Sequence, residues 1–235
     1  MSPPLSPSSR PFIVAIDGPA GAGKSTVSKV LARRLGFTLV DTGAIYRSVA
    51  LKARREGLAL DDDAGLESLL GRVHVSFEVV GEDNHVFLDG EDVSEAIRTP
   101  ENSMAASQVS SRPVVRDGLL SLQRRLALEA PRGAILEGRD IGTVVFPDAD
   151  AKFFLEANPD IRARRRYEEL FQKGVDRPLQ DVLADQIKRD QDDASRAVAP
   201  LKPAEDALRV DSTLLPLSEV VRTLEQHILE RMARR

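Results

Sequence analysis

The 235-residue sequence contains no cysteine. Disulfides, thiolate zinc sites and a cysteine nucleophile are thereby excluded. No apolar run approaches the roughly 18 residues that a membrane span needs. There is no basic excess either: 33 Lys and Arg stand against 37 Asp and Glu, a formal charge of −4. That balance argues against a general nucleic-acid binder but leaves room for a local basic site for a phosphorylated small molecule. The opening stretch, Met1 to Pro11, is rich in Ser and Pro and lacks the apolar segment of a signal peptide. Residues 1–10 are expected to form a disordered tail, and the expected location is the cytoplasm.

What is present is ordinary for a globular chain, with 42% hydrophobic and 30% charged residues. The length allows one good core and a small insert. Phe12–Ile13–Val14–Ala15–Ile16 reads as a buried strand. Val27, Val30, Leu31 and Leu35 follow at helical spacing, with Gly36 placed to end the helix. A second strand over Phe37–Val40 and a helix over Gly43–Glu56 complete a β-loop-α-β order, which implies a parallel sheet. A helix is expected at Gly65–Leu70, then a hairpin over residues 72–93 with its turn at Glu82–Asp83–Asn84. Helices are expected near Ser94–Ser110, Pro113–Ala130, Asn158 onward, Leu179–Asp193 and Ser218 to the end. Strands are expected at Ala134–Leu136, Ala151–Leu155 and Ala207–Val210.

Between the first strand and helix lies Gly18-Pro19-Ala20-Gly21-Ala22-Gly23-Lys24-Ser25. It matches G-x-x-x-x-G-K-[ST], the phosphate-binding P-loop. Glycines let backbone N–H groups curl around phosphate oxygens, and the helix start directs its positive dipole end at them. Residues 18–26, through Thr26, are the expected ATP-binding segment, with Lys24 on the β- and γ-phosphates and Ser25 on Mg²⁺. A GTP switch also needs a base-reading Asn-Lys-x-Asp. The nearest match, Ile187-Lys188-Arg189-Asp190, lacks the Asn, and Asp62-x-x-Gly65 has no strand before it.

A kinase must also bind an acceptor. Asp41-Thr42-Gly43-Ala44-Ile45-Tyr46-Arg47 and Glu137-Gly138-Arg139-Asp140-Ile141-Gly142-Thr143 each follow a strand end, where open α/β sheets bind ligands. Glu137 stands either near Mg²⁺ or as a structural carboxylate. His74, His85 and His227 have none of the partners of a metal site or triad.

The first of those segments, with Ala106-Ser107-Gln108-Val109, residues 138–148 and Arg196-Ala197-Val198-Ala199-Pro200-Leu201, resembles the signature segments of bacterial cytidylate kinases, in the family's order. The resemblance runs from about Phe12 to the last helix, and the hairpin resembles the family's enlarged acceptor domain. It implies an α/β P-loop three-layer fold: a central parallel sheet, helices on both faces, a small antiparallel β insert (72–93) and a helical lid (about 158–196), on a core of residues 11–71 and 94–235.

The resemblance also implies roles. Ser107, Arg116 and Asp140 would read cytosine. Arg47, Arg139 and Arg196 would hold the CMP phosphate, Asp193 the sugar hydroxyls, and Thr42 (often Ser in the family) and Tyr46 would frame the acceptor. Arg162, Arg165 and Arg166 share a helix face at i, i+3 and i+4. They read either as a solvated surface paired with Glu168 and Glu169 or, as favoured here, as a lid closing on ATP. Arg162 and Arg166 would then stabilise transferring charge, with Arg165 and Arg189 on ATP. The expected activity is ATP-dependent, Mg²⁺-requiring phosphorylation of CMP and dCMP by a monomer, without nucleic-acid or membrane partners. Another small-molecule P-loop kinase, acting on UMP, AMP or a non-nucleotide, and a regulatory nucleotide-binding module are the alternatives.

Overall fold

A computed structural model describes residues 10–80, 83–172 and 174–235. Residues 1–9 of the expected tail and Glu82 of the expected turn lie outside them. Among the described residues no helix is long and apolar enough to cross a membrane. The described residues divide into two compact units, one within residues 10–39 and 127–235, the other within residues 40–126.

The first unit is built on a parallel sheet of five strands in the order β2-β6-β1-β7-β8. These are β1 (Phe12–Asp17), β2 (Thr38–Asp41, whose last two residues belong to the second unit), β6 (Gly133–Gly138), β7 (Ala151–Glu156) and β8 (Leu208–Asp211). All six residues of β1 are buried, as expected of a strand flanked on both sides and covered on both faces. It pairs with β6 from Phe12↔Gly133 to Asp17↔Gly138. On one face Phe12, Val14 and Ile16 join Val27 and Leu31 of α1 (Lys24–Leu35) and Val220, Val221, Leu224 and Ile228 of α8 (Leu217–Ala233) in one apolar core. The period-two alternation of the strand meets the helical repeat of both helices there. Gly36 ends α1 at φ 66°, as its position foretold. Two further helices, α6 (Pro159–Gln172) and α7 (Leu179–Ser195), pack on each other in this unit. Asn158 opens α6 as expected, its Oδ1 accepting from Asp160 N–H at 2.8 Å.

The second unit holds α2 (Thr42–Arg55), α3 (Asp63–Leu70), α4 (Pro100–Ser110) and most of α5 (Pro113–Leu128). It also holds an antiparallel sheet of β3 (Val75–Val80), β4 (Asp83–Leu88) and β5 (Glu91–Asp92). Asp41 caps α2, accepting from Ala44 N–H at 2.8 Å, and Asp62 caps α3, accepting from Gly65 N–H at 3.0 Å. The Asp62-x-x-Gly65 spacing is thus a helix start and no switch motif. Buried Asn102 ties the unit together, its side-chain amide donating to the carbonyls of Arg47 (3.0 Å) and Ile97 (3.1 Å).

Three local expectations need correction. The stretch from Ser94 to Ser110 is two elements, a 3₁₀ turn at Ala96–Arg98 and then α4. Thr99 between them is extended at ψ 152° because Pro100 follows it. Asp83 and Asn84, expected in the turn, are paired strand residues opposite Val80 and Val79. A π-helical turn, Ile141–Val145, follows β6 where no element was expected.

Candidate active site

The P-loop is built as its spacing foretold. Gly18 (φ 146°) begins the turn, and a Cβ there would overlap the Leu155 carbonyl oxygen. Gly21 (φ 74°) runs so close to α6 and α7 that a Cβ would lie 2.9 Å from Gln186 Nε2 and 3.0 Å from Arg162 Cβ. Both positions therefore exclude a side chain on two grounds, backbone angle and space. Gly23 (φ 90°) caps α1, whose first residue is Lys24. Three groups hold the loop from outside: Arg162 Nη1 (3.0 Å) and Gln186 Nε2 (2.8 Å) donate to the Ala20 carbonyl, and Ser212 Oγ donates to that of Ala22 (3.0 Å).

Lys24 is 7% exposed, and its ammonium donates to the Pro19 carbonyl at 2.7 Å. Burial, reinforced by the Arg139 guanidinium, holds its pKa well below the ordinary lysine range, against the pull of Glu137, Asp17 and Asp193. Lys24 therefore lies within electrostatic reach of the segment after β6. Ser25 Oγ donates to Glu137 Oε2 at 2.7 Å. This pair of oxygens suits a hard cation such as Mg²⁺. Among the described residues no group of three or more His, Cys, Asp or Glu could hold a metal, so most ligands of such an ion would come from phosphates and water.

Arg139, Asp193 and Arg196 meet in the same unit. Arg139 Nε donates to Asp193 Oδ2 at 2.7 Å, and Arg196 Nη2 donates to Asp193 Oδ1. Burial alone would raise the Asp193 carboxyl; Arg139 and Arg196, helped by Arg189, outweigh it and hold the pKa below the usual range. Two guanidiniums on one carboxylate leave a net positive charge at this cluster. Asp140, next along, is 5% exposed.

The expected lid arginines have different surroundings. Arg162, 4% exposed, donates to Ala157 O (2.8 Å) and Ala20 O and pairs with Asp190 at 2.7 Å. Arg165 donates to Ser212 O at 2.7 Å. Arg166 pairs with Glu169 at 3.0 Å at the surface.

In the second unit, Arg47 Nη2 donates to Asp41 Oδ2 at 2.8 Å, and buried Thr42 opens α2. Arg116, also buried, donates to Ser110 O at 3.0 Å, and its guanidinium lies over the Tyr46 ring, 5.5 Å from the centroid. Ser107 is half-buried one turn before Ser110, whose hydroxyl donates to the Ser107 carbonyl at 3.0 Å.

Sequence reasoning missed Asp17, the last residue of β1. Its carboxylate is buried, and both oxygens accept backbone hydrogen bonds, from Ile141 and Gly142. An acidic residue closing an otherwise apolar strand was the available signal. Gln186 carried none beyond its place in α7.

The model of the cytidylate kinase family matches residues 14–230. The chain belongs to the cytidylate kinase family. Cytidylate kinases of Geobacter sp. (strain M21) and Geobacter sulfurreducens are each 52% identical, over 221 and 222 residues, covering 94% of this chain and 94% of the relative in both cases. A solved structure of an uncharacterized protein from Eubacterium ventriosum is 14% identical and covers 92% of this chain and 98% of its own, with a TM-score of 0.51, a likeness of fold alone.

Proposed function

We propose that the chain transfers the γ-phosphoryl group of ATP directly to the phosphate of CMP or dCMP, giving ADP and CDP or dCDP. Family membership makes it a nucleoside monophosphate kinase that phosphorylates CMP; the donor, the deoxy substrate and the in-line path are the further step. The observation that supports them is that the first unit holds, besides the P-loop, two arginines, Arg139 and Arg196, gathered on Asp193 within electrostatic reach of Lys24.

A CMP phosphate oxygen attacks the γ-phosphorus as the bond to the β-phosphate bridge breaks. That oxygen is already ionised near neutral pH, so no general base is needed. Catalysis then rests on positioning and charge. Burial disfavours the charged form of Lys24, and a phosphate beside it favours that form, because an opposite charge offsets the burial. Arg47, Arg139 and Arg196 hold the CMP phosphate, and Asp193 the sugar hydroxyls. Thr42 and Tyr46 frame the acceptor. Ser25, beside Glu137, would hold Mg²⁺, which neutralises phosphate charge when bound. In the lid, residues 158–196, Arg162 and Arg166 stabilise transferring charge and Arg165 and Arg189 meet ATP. The insert at 72–93 goes with the acceptor side.

Ser107, Arg116 and Asp140 read the base. The Asp140 carboxylate accepts from the exocyclic amine of cytosine, whereas UMP offers a carbonyl oxygen there. Such polar mismatches discriminate by up to about 10⁴-fold. The protein acts as a cytoplasmic monomer in this reading.

The test is ADP release with Mg-ATP and CMP, dCMP, UMP, AMP or no acceptor. Strong turnover with CMP and dCMP alone is expected. Turnover with another monophosphate would discard the base-reading set, and turnover independent of any acceptor would discard the transferase.

A further inference from the structure

Asp17 takes no part in the phosphate chemistry above, yet it is a carboxylate at 3% exposure. Burying an ion is costly unless hydrogen bonds replace its water, so its partners indicate its use. Oδ1 accepts from Ile141 N–H and Oδ2 from Gly142 N–H, both at 2.8 Å. These amides open the π-helical turn, where the first N–H groups have no partner within the turn. The turn closes on the Asp140 carbonyl, which accepts from Val144 N–H (2.9 Å) and Val145 N–H (3.2 Å). The turn packs closely here: a Cβ on Gly142 would lie 3.2 Å from Lys152 Cδ and 3.4 Å from Asp17 Oδ2.

The pairing of β1 with β6 ends at Asp17↔Gly138. Arg139 and Asp140 thus lie just past the last residue whose backbone the sheet fixes. They are bounded by the ladder at Gly138 on one side and by the Asp17 carboxylate at residues 141 and 142 on the other. Asp17 itself adjoins Gly18, the first residue of the P-loop. An apolar residue would serve the sheet alone at lower cost, since burial pushes the Asp17 carboxyl up to about 6 despite its two hydrogen bonds.

We propose that Asp17 is a positioning residue for the acceptor, clamping the backbone after Arg139 and Asp140 to the strand that enters the P-loop. The inference rests on the reading that Arg139 and Asp140 bind CMP. Asp17→Asn keeps the shape and one accepting oxygen but turns an amide NH₂ toward the second N–H. With Mg-ATP, kcat/KM for CMP is expected to fall about 10²-fold, mostly through KM for CMP. The Kd for ATP, titrated calorimetrically without CMP, stays within about threefold. An equal loss toward ATP would overturn the proposal, because Asp17 would then serve the P-loop. A lower melting temperature with unchanged CMP kinetics would overturn it too, because Asp17 would then serve only the core. Should the variant not fold, the unaltered protein decides. Its Ile141 and Gly142 amides are expected to exchange hydrogen as slowly as those of β1, and rapid exchange there overturns the clamp. A failure of the CMP reading is distinguishable, since it shows as absent CMP turnover before any variant is made, and it removes this inference with it.

Discussion

In the second unit four ion pairs lie at the surface, Arg55 with Glu91, Arg72 with Glu56, Arg112 with Asp63 and Lys52 with Asp89, while Arg47 and Asp41 are half-buried. In the first unit the charges that matter are buried and held by backbone groups, by the Ser25 hydroxyl or by an opposite charge: Asp17, Lys24, Glu137, Arg162 and Asp193. A surface pair is screened and adds little to stability. A buried charge costs several kcal/mol to place, and such charges concentrate at functional sites. The two units therefore teach opposite lessons about charge, and burial sorts machinery from decoration better than charge density does. Arg116 is the exception in the second unit, buried and held over an aromatic face.

Lys24 carries the largest expected effect. Lys24→Met should lower kcat about 10³-fold or more. Its fold should survive, because the change replaces a buried charge with an apolar chain of similar length. Steady-state kinetics beside a thermal melt check both halves, and near-normal turnover would contradict the role given to Lys24.

Asp17 sharpens the same contrast through pH. Its carboxyl, raised from 3.8 to about 6, keeps its proton in the native state where the unfolded chain has lost it. Between those values the native state binds more protons, so stability falls as pH rises and the loss is complete above about 6. The rise corresponds to about 3 kcal/mol. The stability of the unaltered protein relative to Asp17→Asn should therefore shrink by about that much from pH 4 to pH 7, measured by urea unfolding. Asp193, held low, acts with the opposite sign and only below about pH 4. His227, lowered by burial, is common to both proteins and cancels in the difference. A difference independent of pH would mean that the two backbone hydrogen bonds fully offset the burial of the Asp17 carboxylate.

Asp17 also marks where sequence reading stops. The P-loop was legible because its constraints are local: the glycines, Lys24 and Ser25 all answer to one strand–turn–helix. The strands β1 and β7 were legible in their apolar runs, and the parallel sheet in the β-loop-α-β order at the start of the chain. The Asp17 partners lie 124 and 125 residues further along the chain, and no local pattern announces them. The π-helical turn was missed for a related reason, since five residues ending a strand give no helical repeat. The common face of Arg162 and Arg166 follows from helical spacing, but their burial does not. Arg162 turns in to Ala20, 142 residues away, while Arg166 meets Glu169 at the surface. The strand β5 is two residues long, too short for any alternation to show.

Arg116 tests whether burial outranks location. Arg116→Ala removes the guanidinium that donates to Ser110 O and lies over Tyr46. The kcat/KM for CMP should fall about 10- to 100-fold, with a smaller loss for UMP, so that discrimination between them narrows. Equal losses for both would assign Arg116 to the architecture of the second unit.

The smallest effect belongs to the surface pairs. Arg55 and Glu91 form two hydrogen bonds, at 2.7 and 2.8 Å, with both side chains largely exposed. The geometry is bidentate, the best a surface pair achieves. It is also open to water and salt, which screen it, and two long side chains lose rotamer freedom to hold it. Arg55→Ala should leave kcat/KM for CMP unchanged and barely move the urea midpoint, with the remaining difference vanishing in high salt. A large, salt-insensitive loss would show that this pair braces the three-stranded sheet against α2 and that surface charge in the second unit is structural.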